Sequence, residues 1–166
     1  MKIYTKKGDT GLTRTFHGIR VSKASCLTEL HGSIDSLQAQ IDAIKVIASI
    51  DETSHTELDI IQTKLWQLAG EISCGTIDHE LIINPIVSSD TEYLEKAIDN
   101  RNIVITTFQR FHTLDSCTIN EARVRCRELE RKLVSYHEKT PQRNEVLSFI
   151  NRLSDYLFIL AVVYNT

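Results

Sequence analysis

Three arginines recur at every fourth position in the segment EARVRCRELERKL, which spans residues 121–133. They are Arg123, Arg127 and Arg131, and at about 100° per residue they lie on one face of a helix, with Glu130 between them. Guanidinium groups bind phosphate through paired hydrogen bonds, so this face is a candidate site for a phosphate chain. When the segment is considered alone, a solvated charged face is the simpler interpretation.

The same helix carries two further faces. An apolar stripe is predicted to face the core, and it is formed by Ala122, Cys126, Leu129 and Leu133. A third face is predicted to point to solvent, and it consists of Arg125, Glu128 and Lys132. Three neighbouring guanidinium groups repel one another, so the arginine face needs an anionic partner: either solvent and scattered carboxylates, or a phosphate chain.

The first 25 residues, MKIYTKKGDTGLTRTFHGIRVSKAS, form a second candidate anion site. We predict a non-helical polar arm, because three of the six glycines fall here and basic residues far outnumber the single acid, Asp9. Gly8 and Gly11 let backbone N–H groups converge on an anion, and threonine and lysine side chains can complete the shell. The pattern differs from a Walker A loop, G-x-x-x-x-G-K followed by Ser or Thr. A flexible cationic leader with a turn at Gly-Asp-Thr-Gly is the alternative.

Composition favours one soluble domain over residues 1–166. The 166 residues are 42% hydrophobic and 25% charged, with a net charge of −3, which argues against a general nucleic-acid binder but permits a local cationic pocket. We expect no membrane span and no signal peptide, and therefore a cytoplasmic protein. The four widely spaced cysteines suit reduced, mostly buried thiols better than zinc or disulfides.

Helical periodicity dominates the rest of the chain. We predict helices over residues 27–50 and 52–74, a short one opened by a capping box at Ser89 and ending near Asn100, the arginine helix to about His137, and a last helix with Thr140-Pro141 as its start. The expected core stripes are Ile34, Leu37, Ile41, Ile44 and Ala48; Leu58, Ile61, Leu65, Leu68 and Ile72; and Val146, Ile150, Leu153, Leu157 and Leu160. The fold class is all-α, a ferritin-like up-and-down bundle of about five helices with a non-helical N-terminal arm.

Residues 101–114 interrupt the helical pattern and are predicted to be a loop that places two aromatic side chains, Phe108 and Phe111, in the core by default. The last helix has a second, partly polar face, made of Asn151, Asp155 and Phe158. Glu52-x-x-His55 is a single di-iron-type pair where two are needed, H-E-x-x-H is absent, and no nucleophile has a placed base. An enzyme of this sequence must take its reactive groups from a cofactor or from its substrates.

Four blocks of the sequence together resemble the PduO-type ATP:corrinoid adenosyltransferases. They are IYTKKGDTGLTRTFHGIRVSK, ELHGSIDSL, ARVRCRELER and NRLSDYLFIL, in the family's order and across nearly the whole chain. The resemblance implies a five-helix bundle that forms a homotrimer with active sites at subunit interfaces. It also implies transfer of the 5′-deoxyadenosyl group of ATP, with magnesium, to the cobalt of cob(I)alamin, with release of triphosphate. A flavoprotein reductase is the expected source of cob(I)alamin.

The resemblance also assigns residues. The triphosphate would be wrapped by arm residues Thr5, Lys6, Lys7, Gly8, Asp9, Gly11, Thr13 and Lys23. ATP and its magnesium, which the phosphates mainly hold, would be bound by Arg127, Glu130, Arg131 and Asn151. Asp35 and Arg123 would form an ion pair across the interface and, with Arg127, make up the catalytic set. The family uses a phenylalanine to displace the lower axial ligand of cobalt, and the corrinoid side is assigned to Phe108, Phe111 and Phe158.

Several positions depart from the family pattern. The family's F-x-L-P-G-G before the arginine helix is FQRFHTLDS here, Glu128 replaces an arginine, Lys7 replaces a threonine and Ser36 replaces a glutamate. A divergent member that binds ATP without transferring it is therefore a second hypothesis. A helical interaction module whose arm binds an unrelated anion is a third.

Overall fold

The computed structural model describes residues 2–4, 6–15, 18–74 and 82–166. Within these ranges the chain forms a helical bundle, which confirms the predicted all-α class. Its elements are β1 (Leu12–Arg14), β2 (Arg20–Ser22), α1 (Cys26–Ile47), α2 (Glu52–Cys74), α3 (Ser88–Asp99), α4 (Leu114–His137) and α5 (Asn144–Val163). The segment before α4 has no regular structure, as predicted for the loop.

The helices pack as neighbours in an up-and-down bundle. α1 lies between α2 and α4, while α5 packs on α4 and α3. α1 and α4 run antiparallel, because Gln40 near the end of α1 donates to the Thr118 carbonyl near the start of α4 (3.0 Å). The predicted core stripes are confirmed: except for half-buried Ala48, all of their members are at most 1% exposed.

α5 is the most apolar of these helices. By length and composition it could cross a membrane, with a mean hydropathy of 1.7, which the sequence prediction did not anticipate. In this fold 56% of that stretch is buried, and Val146, Ile150 and Leu153 are fully enclosed. The role of α5 as a core helix therefore accounts for its composition.

Two predicted helix starts are wrong. α3 begins at Ser88 with Val87 as its N-cap, and the Asp90 carboxylate accepts the Val87 N–H (2.9 Å), so Ser89 already lies inside the helix. α5 begins at Asn144, not at Pro141. The reason is that Arg143 is held outside the helix: its guanidinium lies 3.3 Å from Glu71 of α2 and donates to the Ile86 carbonyl (2.7 Å).

The arm contains a hairpin that the sequence did not predict. β1 and β2 pair antiparallel, with Leu12, Thr13 and Arg14 opposite Ser22, Val21 and Arg20. Next to the strands, the Gly18 N–H donates to the Thr15 carbonyl (2.9 Å), and Gly18 has a φ of 77°. Among its described residues the arm is therefore non-helical, as expected, and part of it pairs as a hairpin.

The cysteines are free, and the prediction that they are mostly buried is wrong. Cys26 and Cys117 are exposed, Cys74 is half-buried and Cys126 is fully buried. Burial raises the pKa of the Cys126 thiol, so this cysteine is an inert core residue.

A buried ion pair fixes the chain where α3 ends. Arg101 pairs with Glu57 of α2, and the Tyr156 hydroxyl of α5 donates to the same carboxylate (2.8 Å). The Arg101 guanidinium also lies 5.1 Å from the centre of the Tyr156 ring. Three elements are thus held at one point, at the start of the loop that leads to α4.

Candidate functional site

The arm encloses a strongly cationic cavity of about 400 Å³. Its lining residues are Lys7, Gly8, Leu12, Thr13, Arg14, Arg20 and Lys23. Four of the seven carry a positive charge and none carries a negative one, so the cavity favours a polyanion of similar charge.

A glycine turn forms one side of this cavity. The Gly11 N–H donates to the Gly8 carbonyl (3.3 Å), Gly11 has a φ of 78°, and the Lys23 N–H donates to the Gly11 carbonyl (2.9 Å). The positive φ requires glycine or a strained residue at position 11. The turn at Gly-Asp-Thr-Gly, which the sequence analysis gave as a structural alternative, is therefore present, and it also borders the cationic cavity.

The arm residues predicted to bind ATP divide into two groups. Lys7, Gly8, Thr13 and Lys23 line the cavity. Lys6, Asp9 and Gly11 belong to the same turn region but are not part of the lining, and Lys6 has a left-handed φ of 58°. Thr5 lies outside the described residues.

Two lining arginines were missed by the sequence prediction. Arg14 and Arg20 are register partners in the hairpin, so their side chains start from directly opposite positions. Like charges in such a pair destabilise a hairpin unless an anion lies between them. The signal in the sequence was the excess of basic residues in the arm, but only the strand register brings these two together.

The arginine face of α4 is present and open. The Arg127 guanidinium lies 4.0 Å from the Glu130 carboxylate, and the Arg127 side chain is 51% exposed. Arg131 and Asn151 of α5 are exposed as well. Among the described residues no cluster of three or more metal-binding side chains is found. Glu130 is thus a single carboxylate available beside two guanidinium groups.

Arg123 connects this face to an aromatic pair. Its Nε donates to Asn120 (2.8 Å), and its guanidinium lies 5.9 Å from the centre of the Phe158 ring. Partial burial, together with the nearby charge of Arg127, lowers the pKa of Arg123. A guanidinium in this position favours an anionic neighbour.

Phe158 and Phe111 form an edge-to-face pair with ring centres 6.1 Å apart. Phe111 is half-buried, consistent with the core expectation, whereas Phe108 is 91% exposed, so the core expectation is wrong for Phe108. Phe108 lies in the irregular segment before α4, where no helix packs over it. The loop thus presents one half-buried and one exposed phenylalanine.

The face of α4 predicted to point to solvent is partly exposed and also lines a second cavity, of about 310 Å³, against α1. Arg125 donates to Ser36, and Lys132 donates to Ser33 (2.9 Å) and pairs with Glu128 (2.8 Å). Glu128 is about half exposed, and Lys23 of the arm borders this cavity too. Lys23, at the end of the arm, therefore lies beside this face of α4.

A single chain does not bring all the predicted site residues together. Asp35 on α1 is exposed and makes no ion pair with any described residue. Arg123 contacts Phe158 on the α5 side of α4, so it is not joined to Asp35 within one chain. The chain thus carries two separate candidate half-sites: the arm cavity, and the arginine face with its aromatic pair.

Comparison with known sequences identifies the family. The sequence profile of the family described as cobalamin adenosyltransferase matches residues 3–164. The corrinoid adenosyltransferase PduO of Salmonella typhimurium is 33% identical over 165 residues, covering 97% of this chain and 49% of that protein. A corrinoid adenosyltransferase of Citrobacter freundii is 30% identical over 169 residues, covering 99% of this chain and 96% of that protein. The chain thus spans about half of the first relative and nearly all of the second.

Solved structures agree. A variant PduO-type adenosyltransferase from Lactobacillus reuteri, complexed with ATP, superposes with a TM-score of 0.87 at 30% identity, covering 99% of this chain and 94% of that one. Another variant from that organism, complexed with cobalamin and ATP, gives a TM-score of 0.85 at 28% identity, covering 96% and 91%. Profile, relatives and fold coincide over the same residues, and the chain belongs to the cobalamin adenosyltransferase family.

Proposed function

We propose that this chain transfers the 5′-deoxyadenosyl group of ATP to the cobalt of a reduced corrinoid such as cob(I)alamin. The cobalt(I) centre gives its electron pair to C5′, the bond from C5′ to the triphosphate oxygen breaks, and triphosphate leaves with the bonding electrons. Cobalt is thereby oxidised to cobalt(III). The observation that carries this proposal is the pair of cationic half-sites on a chain of this family, each of which offers positive charge to an anion.

The arm cavity is the proposed site of the triphosphate. Lys7, Lys23 and the Arg14–Arg20 pair offer four positive charges to a tetraanion, and the glycine turn lets the phosphates approach the backbone. The turn that borders the cavity contains Lys6, Asp9 and Gly11, which are proposed to shape it without contacting the phosphates directly. Neutralising the leaving triphosphate lowers the barrier to its departure, since negative charge accumulates there as the C5′–O bond breaks.

The arginine face is the proposed second wall of the ATP site. Arg127 and Arg131 bind phosphate oxygens in bidentate fashion, and Asn151 supplies an amide from α5. Glu130 fits a magnesium ion, because Mg²⁺ in nucleotide sites takes one or two carboxylates and otherwise phosphate oxygens and water. Bound there, magnesium would supply further charge neutralisation.

The corrinoid is proposed to lie at the aromatic end of this face. Phe158 and Phe111 offer apolar rings next to Arg123, so adenosine and corrin would meet where the guanidinium contacts the ring. Phe108 or Phe111 would displace the lower axial ligand of cobalt. Excluding water from this region protects cobalt(I) from side reactions and positions C5′ for attack.

We propose a homotrimer with its sites between subunits, and the separate placement of the two half-sites on one chain supports sites shared between copies. The arm borders the Arg125–Lys132 face of α4, so it would pair with the arginine face of a second copy. Asp35 is exposed on α1 and would reach Arg123 of the neighbouring copy as an ion pair. With Arg127, these two residues would orient the substrates.

Cobalt(I) must be supplied continuously, so a flavoprotein reductase is the proposed donor. We also propose a cytoplasmic location. The four free cysteines, two of them exposed, suit a reducing compartment.

The altered loop supports one alternative, a family member that binds ATP without transferring it. Residues 101–113 contain neither proline nor glycine, and Phe108 is exposed. If the corrinoid has no pocket, the ATP site alone would remain.

An anaerobic assay separates these two functions. The protein is mixed with ATP, magnesium and chemically reduced cob(I)alamin, and the visible spectrum is followed. We expect light-sensitive adenosylcobalamin. ATP binding by calorimetry without product would support the alternative, and the absence of both would overturn the site assignment.

A further inference from the structure

The loop before α4 is held by a residue that follows α5. The Asn165 Oδ1 accepts hydrogen bonds from the His112 N–H (3.0 Å) and the Ser116 hydroxyl (2.9 Å). The Asn165 Nδ2 donates to the Arg110 carbonyl (2.8 Å). One side-chain amide thus satisfies two backbone groups of the loop and a side chain of α4.

Asn165 is itself anchored through its neighbour, Tyr164. The Tyr164 carbonyl accepts from the Thr113 hydroxyl (2.8 Å), and the Tyr164 hydroxyl accepts from the Asp51 N–H (2.9 Å) and lies 3.1 Å from Ser54 Oγ. These contacts tie the end of α5 to the start of α2. The Asn165 amide therefore holds the loop from a fixed position and does not move freely with it.

The hydrogen bonds bracket Phe111. Arg110 and His112, on either side of it, are the two loop residues whose backbone Asn165 binds, and Phe111 packs on Phe158. The loop contains neither proline nor glycine, and its residue with a left-handed backbone, Asn102 (φ 50°), lies at its start, so no rigid dihedral or special turn residue defines the path next to Phe111. Contacts from outside the loop must supply that definition.

We propose that Asn165 is a positioning residue for the corrinoid side of the site, acting through Arg110 and His112 to hold Phe111. In this chain it takes the place of the rigid Pro-Gly-Gly that the loop lacks. The inference rests on the proposed function, since positioning matters only if a corrinoid binds at this loop.

Three variants test the proposal. Asn165→Ala removes all three hydrogen bonds, and Asn165→Asp keeps the accepting oxygen but loses the donor to Arg110. Gln40→Ala is the matched control, because its amide also donates to a backbone carbonyl, that of Thr118 (3.0 Å), but ties α1 to α4 away from the loop.

Two readouts separate positioning from a structural role. In Asn165→Ala we expect KM for cob(I)alamin to rise about tenfold, the scale of one or two lost hydrogen bonds, while KM for ATP stays unchanged. The absorption spectrum of cob(II)alamin bound with ATP should show less of the form without a lower axial ligand. In both the KM for cob(I)alamin and the spectrum, Asn165→Asp should lie between Asn165→Ala and the wild type. Gln40→Ala should match the wild type in both readouts.

Amide hydrogen exchange tests the hydrogen bonds between Asn165 and the loop independently of activity. Exchange at His112 should accelerate in Asn165→Ala and not in Gln40→Ala. Unchanged exchange, or a corrinoid KM and spectrum equal to those of Gln40→Ala, would overturn the proposal while leaving adenosyl transfer intact. If the wild-type chain itself makes no adenosylcobalamin, the proposed function fails, and a positioning role for Asn165 at a corrinoid site fails with it, whatever the exchange result.

Discussion

Lys23 lies directly against Gly8: a Cβ added to Gly8 would come within 3.1 Å of the Lys23 Nζ and 3.3 Å of its Cε. Both residues line the cationic cavity of the arm. Gly8 does not have a positive φ, so glycine is not required here for its backbone conformation. Its missing side chain instead leaves room for Lys23. The glycine allows the ammonium group to rest on the turn where the triphosphate is proposed to bind.

Replacing Gly8 by alanine should weaken ATP binding without unfolding the protein. The lysine end is flexible and can move by a few tenths of an ångström, so the change displaces the charge while costing little stability. We expect a loss of roughly threefold to tenfold in ATP affinity, measured by calorimetry. Gly70→Ala in α2, where a Cβ meets nothing within 4 Å, is the control: it should stabilise the helix by about 0.5–1 kcal/mol and leave ATP affinity unchanged. Equal ATP affinities for the two variants would contradict the role of Gly8.

The two cationic faces of α4 should respond differently to alanine. Arg127→Ala removes a phosphate contact and should cost roughly 2–5 kcal/mol of ATP binding free energy. Arg125→Ala removes the same charge from the same helix, but the Arg125 guanidinium donates to Ser36 and pairs with Glu121 (3.2 Å). Nucleotide affinity should therefore be retained in this variant. Titration calorimetry with ATP measures both. Nucleotide affinity that survives Arg127→Ala unaltered would show that the triphosphate site is assigned wrongly.

Helical periodicity predicted the helices and their core faces because burial repeats every three to four residues, and Leu58 to Ile72 or Val146 to Leu160 carry that repeat without interruption. It could not say which helix lies opposite a polar face. Arg125 and Lys132 were therefore assigned to solvent, although α1 presents Ser36 and Ser33 to them.

The misplaced start of α5 and the unpredicted hairpin have a common cause. Arg143 stays outside α5 because Glu71, far away in sequence, binds it, and no local signal contains that contact. The hairpin strands have three residues each, too short for an alternating pattern, so the pairing of Arg14 with Arg20 could not be read from spacing. Tertiary contacts decide both.

Removing the buried carboxylate of Glu57 should destabilise the fold strongly. Its side chain is 10% exposed, that of its partner Arg101 is 13% exposed, and it also accepts from Tyr156, so Glu57→Ala leaves a buried guanidinium unpaired. We expect a loss of about 3–5 kcal/mol in the free energy of unfolding, measured with urea. Glu52→Ala, exposed on the same helix, should change it by less than about 0.5 kcal/mol. A loss no larger than that of the control would show that the ion pair is not needed.

His31 should make stability depend on pH near neutrality. Burial lowers its pKa from 6.5, and the nearby Asp35 only partly offsets this; the ring nitrogen lies 3.0 Å from Ser73 Oγ. Because the unfolded chain binds the proton more readily, stability should fall as the pH drops from 6.5 towards the lowered folded pKa, and rise with pH in that window. Thermal unfolding across this range should show a smaller slope in His31→Gln. The same slope in His31→Gln and the wild type would assign it to other groups.

Mixing two inactive variants should restore activity if each site lies between subunits. Lys23→Ala damages the arm and Arg127→Ala damages the arginine face, so a site is intact only where the arm of an Arg127→Ala chain meets the α4 face of a Lys23→Ala chain. In randomly mixed trimers about a quarter of the interfaces meet this condition. After joint refolding, we expect adenosylcobalamin formation at about that fraction of the wild-type rate, with neither variant active alone. No recovery from a mixture shown to contain hybrid oligomers would place the complete site within one chain, and the arm would then have to reach around α4 to its own arginine face.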